Sequence, residues 1–131
     1  MPRMFRIMKK DADDKPTVGQ TATSLGVRPS DVDLDAQGNA ICNDKGMSVS
    51  PEWRDAPLKM RPKRYGGRAS NNCYCFRRGT GAFQQSPCGA GLELVPDCAT
   101  HGVVRPVQLI LLASYEADLH ATRLEWEIDE T

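Results

Sequence analysis

The sequence predicts an α+β domain in which several short strands precede one clear helix. Segments alternating with a period of two recur at residues 4–8, 72–77, 92–95 and 101–104, the spacing that puts successive side chains on opposite faces of a sheet. Helical spacing stands out once, late in the chain, where Val107, Ile110, Leu111, Tyr115 and Leu119 share a face. A chain of 131 residues supplies one modest core, so a single domain over residues 1–131 with a mixed, split sheet and few helices is expected.

In chain order, the first strand puts Arg6 on the face of Met4 and Met8. After a charged connection over residues 9–15, Val18, Ala22 and Leu25 fall on one side of a short helix over residues 17–25, which Gly26 caps and Pro29 stops. Val32 and Leu34 alternate with carboxylates, Gln37-Gly38-Asn39 is a turn signal and residues 40–42 return, which reads as a hairpin leading toward Ser48. Ser50 and Pro51 have the form of an N-cap and a first helical residue, but Pro57 and Pro62 leave room only for a short turn. Residues 55–70 read as a loop punctuated by proline and glycine, of a length that inside a compact domain is usually functional or mobile. The strands at 72–77, 92–95 and 101–104 come next. The long helix is expected to begin at Pro106, with Glu116, Asp118 and His120 turned to solvent, and Leu124, Trp126 and Ile128 to form an edge strand.

Seventeen basic and seventeen acidic residues balance, but unevenly along the chain. Lys59, Arg61, Lys63, Arg64, Arg68, Arg77 and Arg78 succeed one another with no carboxylate between them, while the end from Glu116 is acidic. This asymmetry predicts a basic surface that meets an anionic ligand or partner. The longest apolar stretch, residues 107–113, is too short to span a bilayer, and residues 1–10 lack the apolar run of a signal peptide, so a soluble protein made in the cytoplasm with no membrane role is expected. Cys42, Cys73, Cys75, Cys88 and Cys98 are an odd number without a secretory signal, which predicts free thiols.

Three segments set a polar residue among strand-formers: Met4-Phe5-Arg6-Ile7-Met8, Gly46-Met47-Ser48-Val49-Ser50-Pro51 and His101-Gly102-Val103-Val104-Arg105-Pro106. A guanidinium on a half-buried strand face is costly unless an anion or another hydrogen-bond acceptor meets it. His101 precedes a glycine and Ser48 lies two residues after one, at strand ends where a side chain can be presented to a cleft. Ser50 is discounted against Ser48 because a capping role accounts for it. A rival constellation of Cys73, Cys75, Cys88, Cys98 and His101 has thiolate and imidazole ligands suited to zinc, but its spacing is that of a strand rather than the tight turns of zinc ribbons, so no metal is expected. The basic stretch over residues 59–78, with Tyr65, Tyr74 and Phe76 among its cations, offers a second alternative, a non-enzymatic module that binds nucleic acid.

In order and spacing, Phe5-Arg6, Gly46-Met47-Ser48-Val49, Arg61-Pro62, Gly66-Gly67, His101-Gly102 with Pro106, and Trp126 resemble the type VI secretion effector toxins of the Tse family, which have an ADP-ribosyltransferase-like fold. The resemblance implies an ADP-ribosyltransferase-like split sheet and an NAD-dependent toxin acting in the cytoplasm of a target cell, neutralised by a cognate immunity protein. It implies Arg6, Ser48 and His101 as the catalytic set, with Arg6, Ser48, Arg61 and Arg68 holding NAD, the substrate. The acceptor macromolecule is left undefined. His101 departs from the glutamate usual at that place in the wider fold family, and so leaves open NAD glycohydrolysis or transfer to an unusual acceptor. It leaves open, too, NAD binding without fast turnover, since a histidine there can orient a ribose hydroxyl but stabilises an oxocarbenium charge less well than a carboxylate.

Overall fold

The computed structural model describes residues 1–131. The strands are β1 (Met4–Lys9), β2 (Asn39–Ala40), β3 (Met47–Val49), β4 (Cys73–Arg78), β5 (Ser86–Gly89), β6 (Leu92–Cys98), β7 (His101–Pro106), β8 (Ile110–Leu111) and β9 (Glu127–Ile128). One α-helix, α1 (Leu112–His120), lies between β8 and β9. The fold is α+β, and every pairing between these strands is antiparallel, where a mixed sheet was expected. They form a three-stranded sheet β1-β4-β9, a four-stranded sheet β3-β7-β6-β5 and the small pair β2-β8.

The three-stranded sheet is covered on both faces, and the period of two shows how. Met4 and Met8 of β1, with Phe76 of β4, enter the main core with Leu92, Leu94, Val104, Tyr115, Leu119 and Trp126. Phe5 and Ile7, with Cys73 and Cys75, point the other way into a second cluster closed by Trp53. Residues 51–65 supply that cover through Trp53, Ala56, Met60 and Tyr65, so the expected loop is a packed wall of the domain.

Three expectations are corrected by partners distant in the chain. Residues 17–25 are not helical: Lys9 donates its N–H to the Thr23 carbonyl at 2.8 Å, and Leu25 donates to that of Thr17 at 2.8 Å, so the segment folds back on β1 instead. The helix begins six residues after Pro106, because Val107 donates to the Gly91 carbonyl at 3.0 Å and β8 is recruited by β2. The exposed Val107 and Leu111 therefore fall outside the helix, while Tyr115 and Leu119 are buried in it as their spacing predicts. Ser50 caps no helix; Pro51 leads into a 3-10 turn, Trp53–Asp55, whose N-cap is Glu52. The chain does end in an edge strand, β9, but only Trp126 of the alternating residues is buried.

The hairpin turn at residues 35–39 obeys its signal. Gly38 takes the left-handed conformation, with φ of 81°, which glycine adopts without steric cost. Gly46 is required for a different reason. A Cβ there would stand 2.5 Å from the Val104 carbonyl oxygen and 2.9 Å from the Tyr115 hydroxyl, so the entry to β3 can lie against β7 only without a side chain.

Candidate functional site

The two larger sheets meet at one point and then part. Phe5 of β1 and Ser50, just beyond β3, exchange both backbone hydrogen bonds, at 2.7 and 2.9 Å, after which the strands diverge. The gap between them is a cavity of about 410 Å³, within the range of small-molecule sites. Arg6, Ser48 and His101, from β1, β3 and β7, all line it. Its wall also includes Ser50, Trp53, Met60, Arg28, Asp31 and Lys59.

Arg6 fills the space where β1 and β3 cease to pair. Its Nε donates to the Ser24 carbonyl at 3.1 Å and Nη1 to that of Ser48 at 2.8 Å, while Nη2 is shared between those of Ala22 and Gly26 at 3.3 Å each. The guanidinium thus satisfies carbonyls that no strand ladder serves, and its partners are backbone acceptors rather than a carboxylate. Burial pushes its pKa down to about 10, with Asp31 opposing the shift. That is still far above neutrality, so the cation persists.

Ser48 is exposed in β3, opposite Val103 of β7. Ser50 lies two residues on, hence on the same strand face, is buried, and also lines the cavity. The S-x-S spacing was the available signal for it, obscured by the apparent N-cap pattern. His101 begins β7, with Nδ1 2.9 and 2.8 Å from the two carboxylate oxygens of Asp97.

The cavity holds three permanent cations, Arg6, Arg28 and Lys59, against a single carboxylate, Asp31. Arg28 donates to Asp31 through its backbone N–H at 2.8 Å and its side chain at 2.9 and 3.2 Å. Burial works against ionisation of Asp31, but Arg28 outweighs it and holds the pKa below the usual carboxylate range. The net field of the cavity is positive and suits an anion.

Arg61 and Arg68 do not line the cavity. Arg61 turns inward and donates to the carbonyls of Arg54 and Ala56, whereas Arg68 is exposed. Arg28 and Lys59 line the cavity instead; Lys59 belongs to the basic stretch that the sequence singles out, whereas Arg28 is a lone cation with no sequence signal.

The basic stretch is partly neutralised from within, three of its seven cations being paired with carboxylates, where an open basic surface is expected. Arg64 pairs with Glu130, Arg77 with Asp129 at 2.8 Å, and the buried Arg78 with Glu125 at 3.2 Å. The acidic end of the chain thus covers the cations it was expected to contrast with. Lys59, Arg61, Lys63 and Arg68 remain outside these ion pairs.

Cys73, Cys75 and Cys88 are buried, Cys98 is exposed, and all five thiols are free. Burial pushes Cys75 up to about 12 and Cys88 up to about 11, so both are neutral thiols. No three His, Cys, Asp or Glu side chains are grouped so as to hold a metal ion. No helix is long and apolar enough to cross a membrane. Compared with protein-family models, curated proteins and solved structures, the chain gives no match.

Proposed function

We propose that the cleft between β1 and β3 binds NAD and that the chain acts as an ADP-ribosyltransferase-like toxin, restrained by an immunity protein. The observation that carries this reading is the meeting of Arg6, Ser48 and His101 in one cavity although each is more than 40 residues from the next. Its positive field suits a dinucleotide diphosphate, with Arg28 and Lys59 as the side chains that would meet it. The serine hydroxyls and the imidazole offer hydrogen bonds to ribose without adding negative charge. Asp31, already engaged by Arg28, supplies little free carboxylate to stabilise an oxocarbenium ion, so acceleration rests on positioning and on proton transfer by His101.

Expression of the wild-type chain and of His101→Ala in bacteria, with growth and intracellular NAD measured together, tests this. The wild type is expected to arrest growth as NAD falls, and His101→Ala to lose both effects at an unchanged melting temperature. A wild-type chain that leaves NAD intact, or a folded His101→Ala chain that still consumes it, refutes the reading. Calorimetric titration of NAD beside an RNA at two salt concentrations separates it from nucleic-acid binding, which carries a steep salt dependence.

A further inference from the structure

We propose that Asp97 is a positioning residue of this cleft, fixing His101 as the Nδ1–H tautomer so that Nε2 is the proton acceptor presented to a ligand. The identity of the reaction rests on the NAD reading above; the geometry does not.

Between Pro96 and Cys98 the register of β6 against β7 slips by one residue, since Pro96 lies opposite Gly102 but Cys98 lies opposite His101. Asp97 is the extra residue of a β-bulge. Bulges occur beside functional sites because they re-aim a side chain while leaving the strand paired. Here the carboxylate meets Nδ1 with both oxygens, at 2.9 and 2.8 Å. A carboxylate can only accept, so Nδ1 carries the proton. Asp97 is outside the cavity wall and His101 within it. With Nδ1 held by the carboxylate, Nε2 is the ring nitrogen left free for a ligand.

This orientation assigns the proton transfer. In the proposed reaction a hydroxyl oxygen, of water or of an acceptor, bonds to C1′ of the nicotinamide ribose. The C1′–N bond breaks with its electron pair passing to the ring nitrogen, which loses its positive charge. The hydroxyl proton passes to Nε2 of His101, giving an imidazolium that Asp97 stabilises.

The test uses the full chain labelled with ¹⁵N-histidine, at a pH well above the ordinary histidine pKa of about 6.5, with His101→Ala assigning the signals. Wild type is expected to show His101 with Nδ1 protonated and Nε2 bare. In Asp97→Asn the amide can donate to Nδ1, so the proton is expected to move to Nε2, with NAD cleavage falling in kcat by about 100-fold or more and KM little changed. Cys98→Ala, the other bulge residue, is expected to match wild type in both readouts. A wild-type His101 protonated on Nε2, an Asp97→Asn protein whose tautomer is unmoved, or full NAD cleavage by Asp97→Asn overturns the proposal. If the tautomer shifts as expected but wild type never cleaves NAD, the positioning role stands and the NAD reading fails.

Discussion

Replacing Arg6 with alanine tests whether this side chain is chiefly a ligand anchor or a structural pin. Its guanidinium donates to the carbonyls of Ser24, Ser48, Ala22 and Gly26, and so ties residues 22–26 and β3 to β1 where no ladder does. Hydrogen bonds from charged donors contribute about 1.5–3 kcal/mol each. Water entering the cleft would re-solvate part of what alanine leaves, so the loss is nearer that of leaving about two buried carbonyls unpaired, about 3–5 kcal/mol in all. At roughly 4 °C per kcal/mol for a chain of this size, Tm should fall by about 12–20 °C. Arg6→Lys should recover only part of this, because one ammonium cannot reach acceptors arranged around a planar fork. Thermal melts and urea titrations monitored by circular dichroism measure both variants. An Arg6→Ala chain melting within about 3 °C of wild type would refute the pin. A lost affinity for NAD in Arg6→Ala would then report the missing contact itself; with the expected drop in Tm, it would report a loosened cleft.

Buried groups and thiols give three further expected outcomes. The Tyr115 hydroxyl accepts from the Met47 N–H at 3.1 Å and donates to the Val104 carbonyl, bridging β3 to β7; Tyr115→Phe should cost about 2–4 kcal/mol by leaving both unpaired, and a denaturation midpoint equal to wild type would contradict it. Glu116 is buried with one oxygen accepting from the Val27 N–H at 2.9 Å and the other 3.1 Å from His120 Nε2, and burial raises its pKa. Because the folded pKa lies above the unfolded one, its contribution to stability is greatest at acid pH and is lost as pH rises through the folded value. Glu116→Gln should therefore melt at or above wild type at neutral pH, with the gap closing toward acid pH; clear destabilisation at neutral pH would reverse that sign. Under native conditions a thiol reagent should modify Cys98 first and Cys42 more slowly, while Cys73, Cys75 and Cys88 react only on unfolding, because the latter three are buried and uncharged. Rapid native labelling of Cys75 would show that the second core opens.

Much of the candidate site was legible because it rests on strands. Arg6, Ser48 and His101 stand on β1, β3 and β7, and their apolar neighbours Met4, Met8, Val49 and Val104 are buried. Ser50 was hidden by a serine-proline pair that imitates a helix start, and its true partner is Phe5 on another strand. Arg28, Asp31 and Lys59 come from loops, whose path no periodicity encodes. Glu116 and His120, assigned to solvent by position on the helix, face each other instead, with the carboxylate buried beneath the backbone of Val27.

By itself the sequence determined the strands β1, β4, β6 and β7 and the buried face of Tyr115 and Leu119, because alternation and helical spacing state locally which side chains must leave water. Only the tertiary structure decided where α1 begins, that residues 17–25 are not helical, that the acidic end pairs with Arg64, Arg77 and Arg78 of the basic stretch, and that a bulge brings Asp97 to His101. Most of these depend on which remote group completes a hydrogen bond or an ion pair: Gly91 for Val107, Lys9 for Thr23, Glu130 for Arg64. Backbone polar groups must be satisfied wherever they are buried, and a partner fourteen or more residues away outweighs the small local preference for one conformation over another.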